Sequence, residues 1–284
     1  MKPSHVLIVG CGDIGTRVGL MMSRAGCRIT AVRRETASLP PAFDAIATDY
    51  LTEPGLDALG GIKADAVLVT PVPADMTDVG YRLGYVDLIE RLADRGHLVA
   101  DTRGVMVSST RVYAEASGGW VTEDSPLNRT EAKSLAIQAA EQSLLAASPQ
   151  MRVLRASGLY GRETGMLLGR VQRGQASADP DRFSNRIHRD DLSACIAQIL
   201  SGQLVFSEAE SIVTASDDDP ATIGEVESWL ADLLQVELTE SAPTGPGRGH
   251  RRCDNSRLKA GGYRFRYPSY REGYRAVLGL AERT

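Results

Sequence analysis

Residues 6–15 read "VLIVGCGDIG", and this stretch decides the fold. Four β-prone apolar residues run straight into Gly10, Gly12 and Gly15 in the spacing GxGxxG, and a helical pattern begins at once. Each glycine answers a separate physical need: a tight turn at Gly10, close approach of a pyrophosphate to the backbone at Gly12, and helix–strand packing at Gly15. The start of the following helix offers free N–H groups and a partial positive charge to phosphates. The whole loop, with Cys11, Asp13 and Ile14 between the glycines, is therefore the expected cofactor cradle. The helix spans residues 13–26, with Ile14, Val18, Met21 and Met22 at helical spacing and Gly26 as its stop.

The second strand, residues 28–33, ends in "AVRRE". A fold selective for NAD usually carries an acidic residue about 20 positions after the loop, to hold the ribose 2′-hydroxyl. Arg33 and Arg34 stand there instead; two guanidinium groups suit a 2′-phosphate, so NADP is expected ahead of NAD. Glu35 is the competing carboxylate, one position further out. Asp49, after the third strand, either meets the adenine amino group or serves a turn. Pro71, just past the fourth strand, completes the expected cofactor set.

Further strands are expected at 43–49, 64–70, 104–109, 151–157 and 210–216, and helices at 81–96, 129–147, 190–201 and 221–235. Near-continuous Val/Ile/Leu runs mark strands covered on both faces. The expected class is α/β: a Rossmann-like, doubly wound parallel sheet with helices on both faces and a small C-terminal substrate lobe. Residues 1–160, continued by 187–216, would form the nucleotide-binding core. The polar, irregular stretch 161–186 and residues 217–284 would form the smaller lobe, with 239–253 as a mobile loop. No internal repeat is present.

The 284 residues are 43% hydrophobic and 24% charged with a net charge of −4, an ordinary globular balance without the basic blocks of a nucleic-acid binder. Cys11, Cys27, Cys195 and Cys253 stand alone, and His5, His97, His188 and His250 do not join them, so neither a metal site nor a disulfide framework is expected. With no long apolar span and no signal-peptide pattern, the expectation is a soluble, cytoplasmic protein.

Together with the glycine loop, "VSSTRVY" (107–113), "VLRASGLYG" (153–161), "NRIHRDDLSACI" (185–196) and "NSRLKAGGYRFRYPSYREGY" (255–274) resemble the extended and atypical short-chain dehydrogenase/reductases, in the NAD(P)-dependent epimerase/dehydratase group. The resemblance covers nearly the whole length. It implies that Ser109 polarises a substrate oxygen. It also implies a Tyr and a Lys in a YxxxK motif on the next helix, as proton donor and cofactor orienter.

The chain has no YxxxK. Anchoring the helix on Glu141 puts Lys133 at the Tyr position and Ile137 at the Lys position, whereas a one-turn shift puts Arg129 and Lys133 there. Lys133 is thus the first candidate for the proton, against a solvated lysine on a helix flank. Tyr113 is the second candidate, and Thr110 is a supplement to Ser109. Asn128 and Glu131 read as the helix cap, with Ala132, Leu135, Ala136, Ala139 and Ala140 as the core-facing stripe. In "NRIHRDDL", Asn185 and His188 are candidate substrate contacts, and Asp191 is read as a helix cap. Arg248, Arg251 and Arg252 offer charge for a substrate phosphate or carboxylate, or line a solvated loop; Tyr263, Tyr267, Tyr270 and Tyr274 read as packing.

The leading expectation is an NADP(H)-dependent enzyme moving a hydride to or from a hydroxyl- or carbonyl-bearing carbon of a small molecule such as a sugar nucleotide. The rival is a non-catalytic NADP-binding sensor. Neither nucleic acid nor membrane is expected as a partner; a homodimer is compatible with the chain.

Overall fold

The computed structural model describes residues 2–239 and 249–280. Seven parallel strands form the central sheet: β1 (His5–Val9), β2 (Arg28–Arg33), β3 (Asp44–Ala47), β4 (Ala66–Val69), β5 (Arg103–Ser109), β6 (Met151–Ala156) and β7 (Ile212–Ala215). Their order is β7-β6-β5-β4-β1-β2-β3. The direction of winding reverses between β1 and β4, which opens a crevice at their carboxyl ends. The alternation of side chains builds a core on each face. Val6 and Ile8 enter one, Leu7 and Val9 the other. The class expected from the sequence is the class observed.

Helix α1 (Asp13–Arg24) covers one face, beside the later helix Arg189–Ser201. On the other face the segment expected as one helix over 81–96 is in three parts. A turn at Asp78–Tyr81 leads into a π-helical segment, Arg82–Asp87, and then into α2 (Leu88–Asp94). Such wide turns are rare and often occur at functional sites. Helix α3 (Ala132–Ala147) packs against this segment.

The core-facing side of α3 differs from the stripe expected. Ala132 and Leu135 are exposed, while Ser134, Ala136, Ile137, Ala140, Glu141 and Leu144 are buried. Two polar residues on the inner face hid it from a hydrophobicity reading. Ser134 donates towards the Val112 carbonyl, and Glu141 is paired with Arg155 of β6. The Arg155 Nη2–Glu141 Oε2 distance is 2.7 Å, both side chains are almost fully buried, and Ser108 donates to Glu141 Oε1 at 2.5 Å.

The stretch 161–186 is less irregular than its sequence suggests. It holds α4 (Met166–Gln172) and the short strand Phe183–Ser184, and Arg186–His188 is also a short strand. Next come α5 (Arg189–Ser201), α6 (Ile223–Leu234) and α7 (Tyr270–Val277). Leu168 and Val171 of α4 are buried with Val226 and Leu230 of α6 and Tyr270 and Tyr274 of α7, in a third core apart from the two of the sheet. A seven-residue helix of this kind exists only through tertiary burial, because its length alone cannot stabilise it in water.

Asp217, just past β7, carries an electrostatic cost. Its Oδ2 is sealed from solvent without a partner, and burial pushes its carboxyl well above the usual carboxylate range against the pull of Arg186. A carboxyl whose folded pKa is raised destabilises the fold as pH climbs above its unfolded value of about 3.9. Asp217→Asn is therefore expected to raise stability at pH 7 by about 1 kcal/mol and to change little at low pH, where Asp217 is protonated in both states. Urea denaturation at the two pH values checks this.

Candidate active site

Gly10 adopts φ +83°, and the amides of Gly10 and Cys11 donate to the Val32 carbonyl at 3.0 and 2.9 Å, folding the loop back onto β2. A Cβ on Gly10 would lie 2.7 Å from the Thr70 carbonyl oxygen. A Cβ on Gly15 would lie 2.9 Å from Ile8 Cγ2, so this glycine lets α1 close on β1. Gly12 differs: its added Cβ would meet only the Gly10 oxygen, at 3.8 Å. It is also the N-cap of α1 and brings no side chain to the helix end. The backbone there faces open space.

The side chains of the loop turn elsewhere. Cys11 and Ile14 are buried in the core, and burial pushes the Cys11 thiol up. Asp13 accepts from Arg17 Nε at 3.4 Å and from Arg189 Nη1 at 3.1 Å, and Arg17 also pairs with Asp190. This cluster ties α1 to the start of α5. Pro71 is buried directly after Thr70, whose hydroxyl donates to the Gly10 carbonyl. Asp49 Oδ1 accepts from the Leu51 amide at 3.1 Å, closing a turn. Arg33 is half-buried and Arg34 exposed, and neither guanidinium makes a hydrogen bond or ion pair among the described residues.

A cavity of about 900 Å³ opens at the carboxyl ends of β5 and β6. Ser109 and Thr110 line it, and Ser108 does not, because its hydroxyl points back to Glu141. Ser109 Oγ accepts from the Arg111 amide at 3.2 Å, which leaves its own O–H for a bound oxygen. Tyr113 reaches the wall, but its hydroxyl bonds Thr214 Oγ1 at 2.7 Å, and the Arg155 guanidinium lies 5.1 Å over its ring. It belongs to the sheet rather than to the cavity. Lys133 does not line the cavity; its Nζ lies 5.5 Å over the ring of Tyr81. Ile137, which takes the family's Lys position if the helix is anchored on Glu141, is on the wall.

Asn185 also lines the cavity, with both ends of its amide engaged. Its Nδ2 donates to the Arg251 carbonyl at 2.9 Å and its Oδ1 accepts from the Cys253 amide at 2.8 Å. Arg251 is held by the carbonyls of Glu115 and Thr110, and Arg252 stacks on Trp120 and Phe183. Arg248 lies outside the described residues, as does most of the loop in which it falls.

His188 lies away from the cavity wall. It caps α5 by accepting from the Asp190 amide at 3.2 Å and is packed against Tyr160 and Tyr267; burial holds it neutral, with a pKa near 4. The capping role read for Asp191 thus belongs to His188. Asp191 instead accepts from Tyr263 Oη at 2.9 Å and from the amides of Arg266 and Tyr267 at 2.7 and 3.0 Å, pinning the C-terminal segment to α5.

Sequence reasoning missed Tyr81, Tyr85, Arg111 and Glu131, which line the same cavity. Arg111 forms a two-pronged ion pair with Glu131 and lies 5.6 Å over the Tyr81 ring. The one available signal was the four-residue spacing of the tyrosines, which puts both on a single helix face.

A parallel sheet with its glycine loop at the switch point makes the chain a Rossmann-type dinucleotide-fold protein. The family model for pyridine nucleotide-disulphide oxidoreductases matches residues 5–63, the first βαβ unit with its glycine loop and the start of β4's approach. Comparison of the sequence with curated proteins returns no match. A candidate NAD-dependent epimerase/dehydratase from Methylobacillus flagellatus is 27% identical with a TM-score of 0.78, over 97% of this chain and 98% of its own. The Thermus thermophilus UDP-glucose 4-epimerase, solved with NAD, has a TM-score of 0.78 at 18% identity, over 97% and 98% of the two chains. The Bacillus anthracis dTDP-glucose 4,6-dehydratase, also with NAD, has a TM-score of 0.76 at 16% identity, over 97% and 96%. The structural neighbours of this chain are thus members of the NAD-dependent epimerase/dehydratase family, the group its motifs resemble. No helix among the described residues is long and apolar enough to cross a membrane.

Proposed function

We propose that the protein is a nicotinamide-dinucleotide-dependent oxidoreductase or epimerase/dehydratase that takes NADP(H) ahead of NAD(H). The observation that carries this reading is the open cradle at Gly12, with an uncapped helix end behind it and the cavity of Ser109 at the same sheet edge. Gly10, Gly12 and the amides that open α1 would hold the pyrophosphate. Arg33 and Arg34, which no side chain among the described residues engages, would hold the 2′-phosphate. When bound, the nicotinamide supplies or takes a hydride. Ser109 donates its free O–H to the oxygen of the reacting carbon and orients it. Residues 161–186 and the described part of 217–284 would cover the substrate, a small molecule bearing a hydroxyl or carbonyl. Nucleic acid and membrane have no part in this reading, a homodimer is compatible with it, and the cytoplasm is the proposed location.

Isothermal titration with NADPH and NADH tests the proposal. The wild type is expected to favour NADPH, and the double substitution Arg33→Ala/Arg34→Ala to weaken NADPH by about 2 kcal/mol, close to thirtyfold, with NADH almost unchanged. Failure of both nucleotides to bind would overturn it. The absence of a YxxxK motif favours a second reading, a cofactor-binding sensor without turnover. That reading requires NADP to alter a conformation or association equally in wild type and Ser109→Ala.

A further inference from the structure

The chain has no YxxxK tyrosine on α3, and two tyrosines of another element stand beside that helix. The π-helical segment Arg82–Asp87 packs on α3, and Tyr81 and Tyr85 share one buried cluster with Ala136, Ile137 and Ala140. The two tyrosine rings are parallel, with centroids 5.7 Å apart and planes 6° apart. Neither hydroxyl has a hydrogen-bond partner among the described residues, and neither is among the buried polar atoms sealed from solvent without one. Both residues line the cavity that holds Ser109.

The charges around the pair are those that phenol chemistry uses. Arg111 and Lys133 lie 5.6 and 5.5 Å from the Tyr81 ring centroid. Glu131 neutralises much of Arg111, and Asp75 stands near Lys133. Tyr81 is held between these cations and the stacked ring, whereas the Tyr85 ring carries no cation among the described residues and rises from the π-helical segment itself. Burial pushes the Tyr85 hydroxyl up to about 12, with Arg111 pulling the other way, so at neutral pH it is a phenol with a proton to give.

We propose that Tyr85 is the proton donor of the site, with Tyr81 and Arg111 as positioning residues and Ser109 holding the same substrate oxygen. This rests on the cofactor reading above. In the reductive direction the substrate carbonyl carbon gains a hydride from the reduced nicotinamide. The Tyr85 O–H bond breaks as the O–H bond of the product alcohol forms, and the phenolate takes a proton back from water in the open cavity. Oxidation runs the same transfers in reverse. Lys133, the candidate read from sequence, acts on this pair through the Tyr81 ring rather than on substrate.

The test needs no known substrate. 3-Nitrotyrosine is placed at position 85, and in a second protein at position 81; its phenolate absorbs in the visible and titrates near neutrality, where the fold is intact. If Tyr85 faces the reacting oxygen, oxidised NADP is expected to lower the position-85 midpoint by about one pH unit, a tenfold change in proton affinity, through the positive nicotinamide ring. Adenosine 2′,5′-bisphosphate, which lacks that ring, should leave it in place, and the position-81 probe should move less. NADP that binds calorimetrically without moving the position-85 midpoint overturns the assignment of Tyr85 alone. A larger shift at position 81 than at 85 also overturns it. Absence of NADP binding to the wild type overturns the cofactor reading and the assignment with it. Should the nitro group disturb folding, ¹³Cζ-tyrosine NMR of the wild type, assigned with Tyr85→Phe and Tyr81→Phe, reads the same perturbation.

Discussion

Gly12→Val is expected to abolish high-affinity dinucleotide binding while leaving the fold intact. A Cβ at this position meets only one backbone oxygen, at 3.8 Å, so the protein itself accommodates a side chain there. The loss of a glycine N-cap costs little more than a few tenths of a kcal/mol. A valine would instead occupy the space through which a pyrophosphate approaches the start of α1. An overlap of that kind costs about 3 kcal/mol, a loss of roughly a hundredfold in affinity. Titration with NADPH beside a thermal melt separates the two effects. Gly15→Val is the contrasting case, because its Cβ already falls 2.9 Å from Ile8 Cγ2 and the added methyls would force α1 off the sheet. There the melting temperature itself should fall. Equal binding by wild type and Gly12→Val would remove the cradle from the cofactor site.

Arg155→Leu is expected to cost about 3–5 kcal/mol of stability, a large share of the roughly 5–15 kcal/mol that holds a domain together. The cause is the charge left behind. Glu141 is 2% exposed and is met by Arg155 through three nitrogen–oxygen contacts between 2.7 and 3.3 Å. Without the guanidinium, a carboxylate would remain in the core between α3 and the sheet with only the Ser108 hydroxyl for company. Tyr113 would also lose the cation above its ring. The double variant Arg155→Leu/Glu141→Leu removes both charges and is expected to recover much of the loss. Urea denaturation of the single and double variants checks this. A single variant within 1 kcal/mol of wild type would mean that the pair is not holding β5, β6 and α3 together.

The buried pair also explains one limit of the sequence. "VSSTRVY" resembles a family motif as a line of text, yet its hydroxyls divide between two environments. Ser108 faces Glu141 in the core and Ser109 faces the cavity, as alternation along a strand requires. The alternation was legible, but the reason for a serine inside was not, because Glu141 and Arg155 lie 33 and 47 residues further along the chain. The inner face of α3 was misread for the same cause. A buried Ser134 and a buried Glu141 look like solvent-facing residues until their partners are known.

Residues whose role depends on neighbours in the chain were readable: the glycine turn, the helix that follows it and the apolar strands. Their geometry is set within one βαβ unit, by backbone sterics and periodicity. Residues whose role depends on what packs against them were not. His188 and Asp191 read as a substrate contact and a cap; in three dimensions the histidine caps α5 and the aspartate holds the C-terminal segment. Lys133 read as a replacement for a phenol and lies instead over the ring of Tyr81. By itself the sequence determined the parallel sheet of Rossmann type, the glycine loop that opens α1, and the absence of a YxxxK motif. Only the tertiary structure decided which groups meet at the cavity. The reason is physical: the π-helical turn that carries Tyr85 is joined to Ser109 by packing across α3, and no local spacing encodes a contact between elements that distant in the chain.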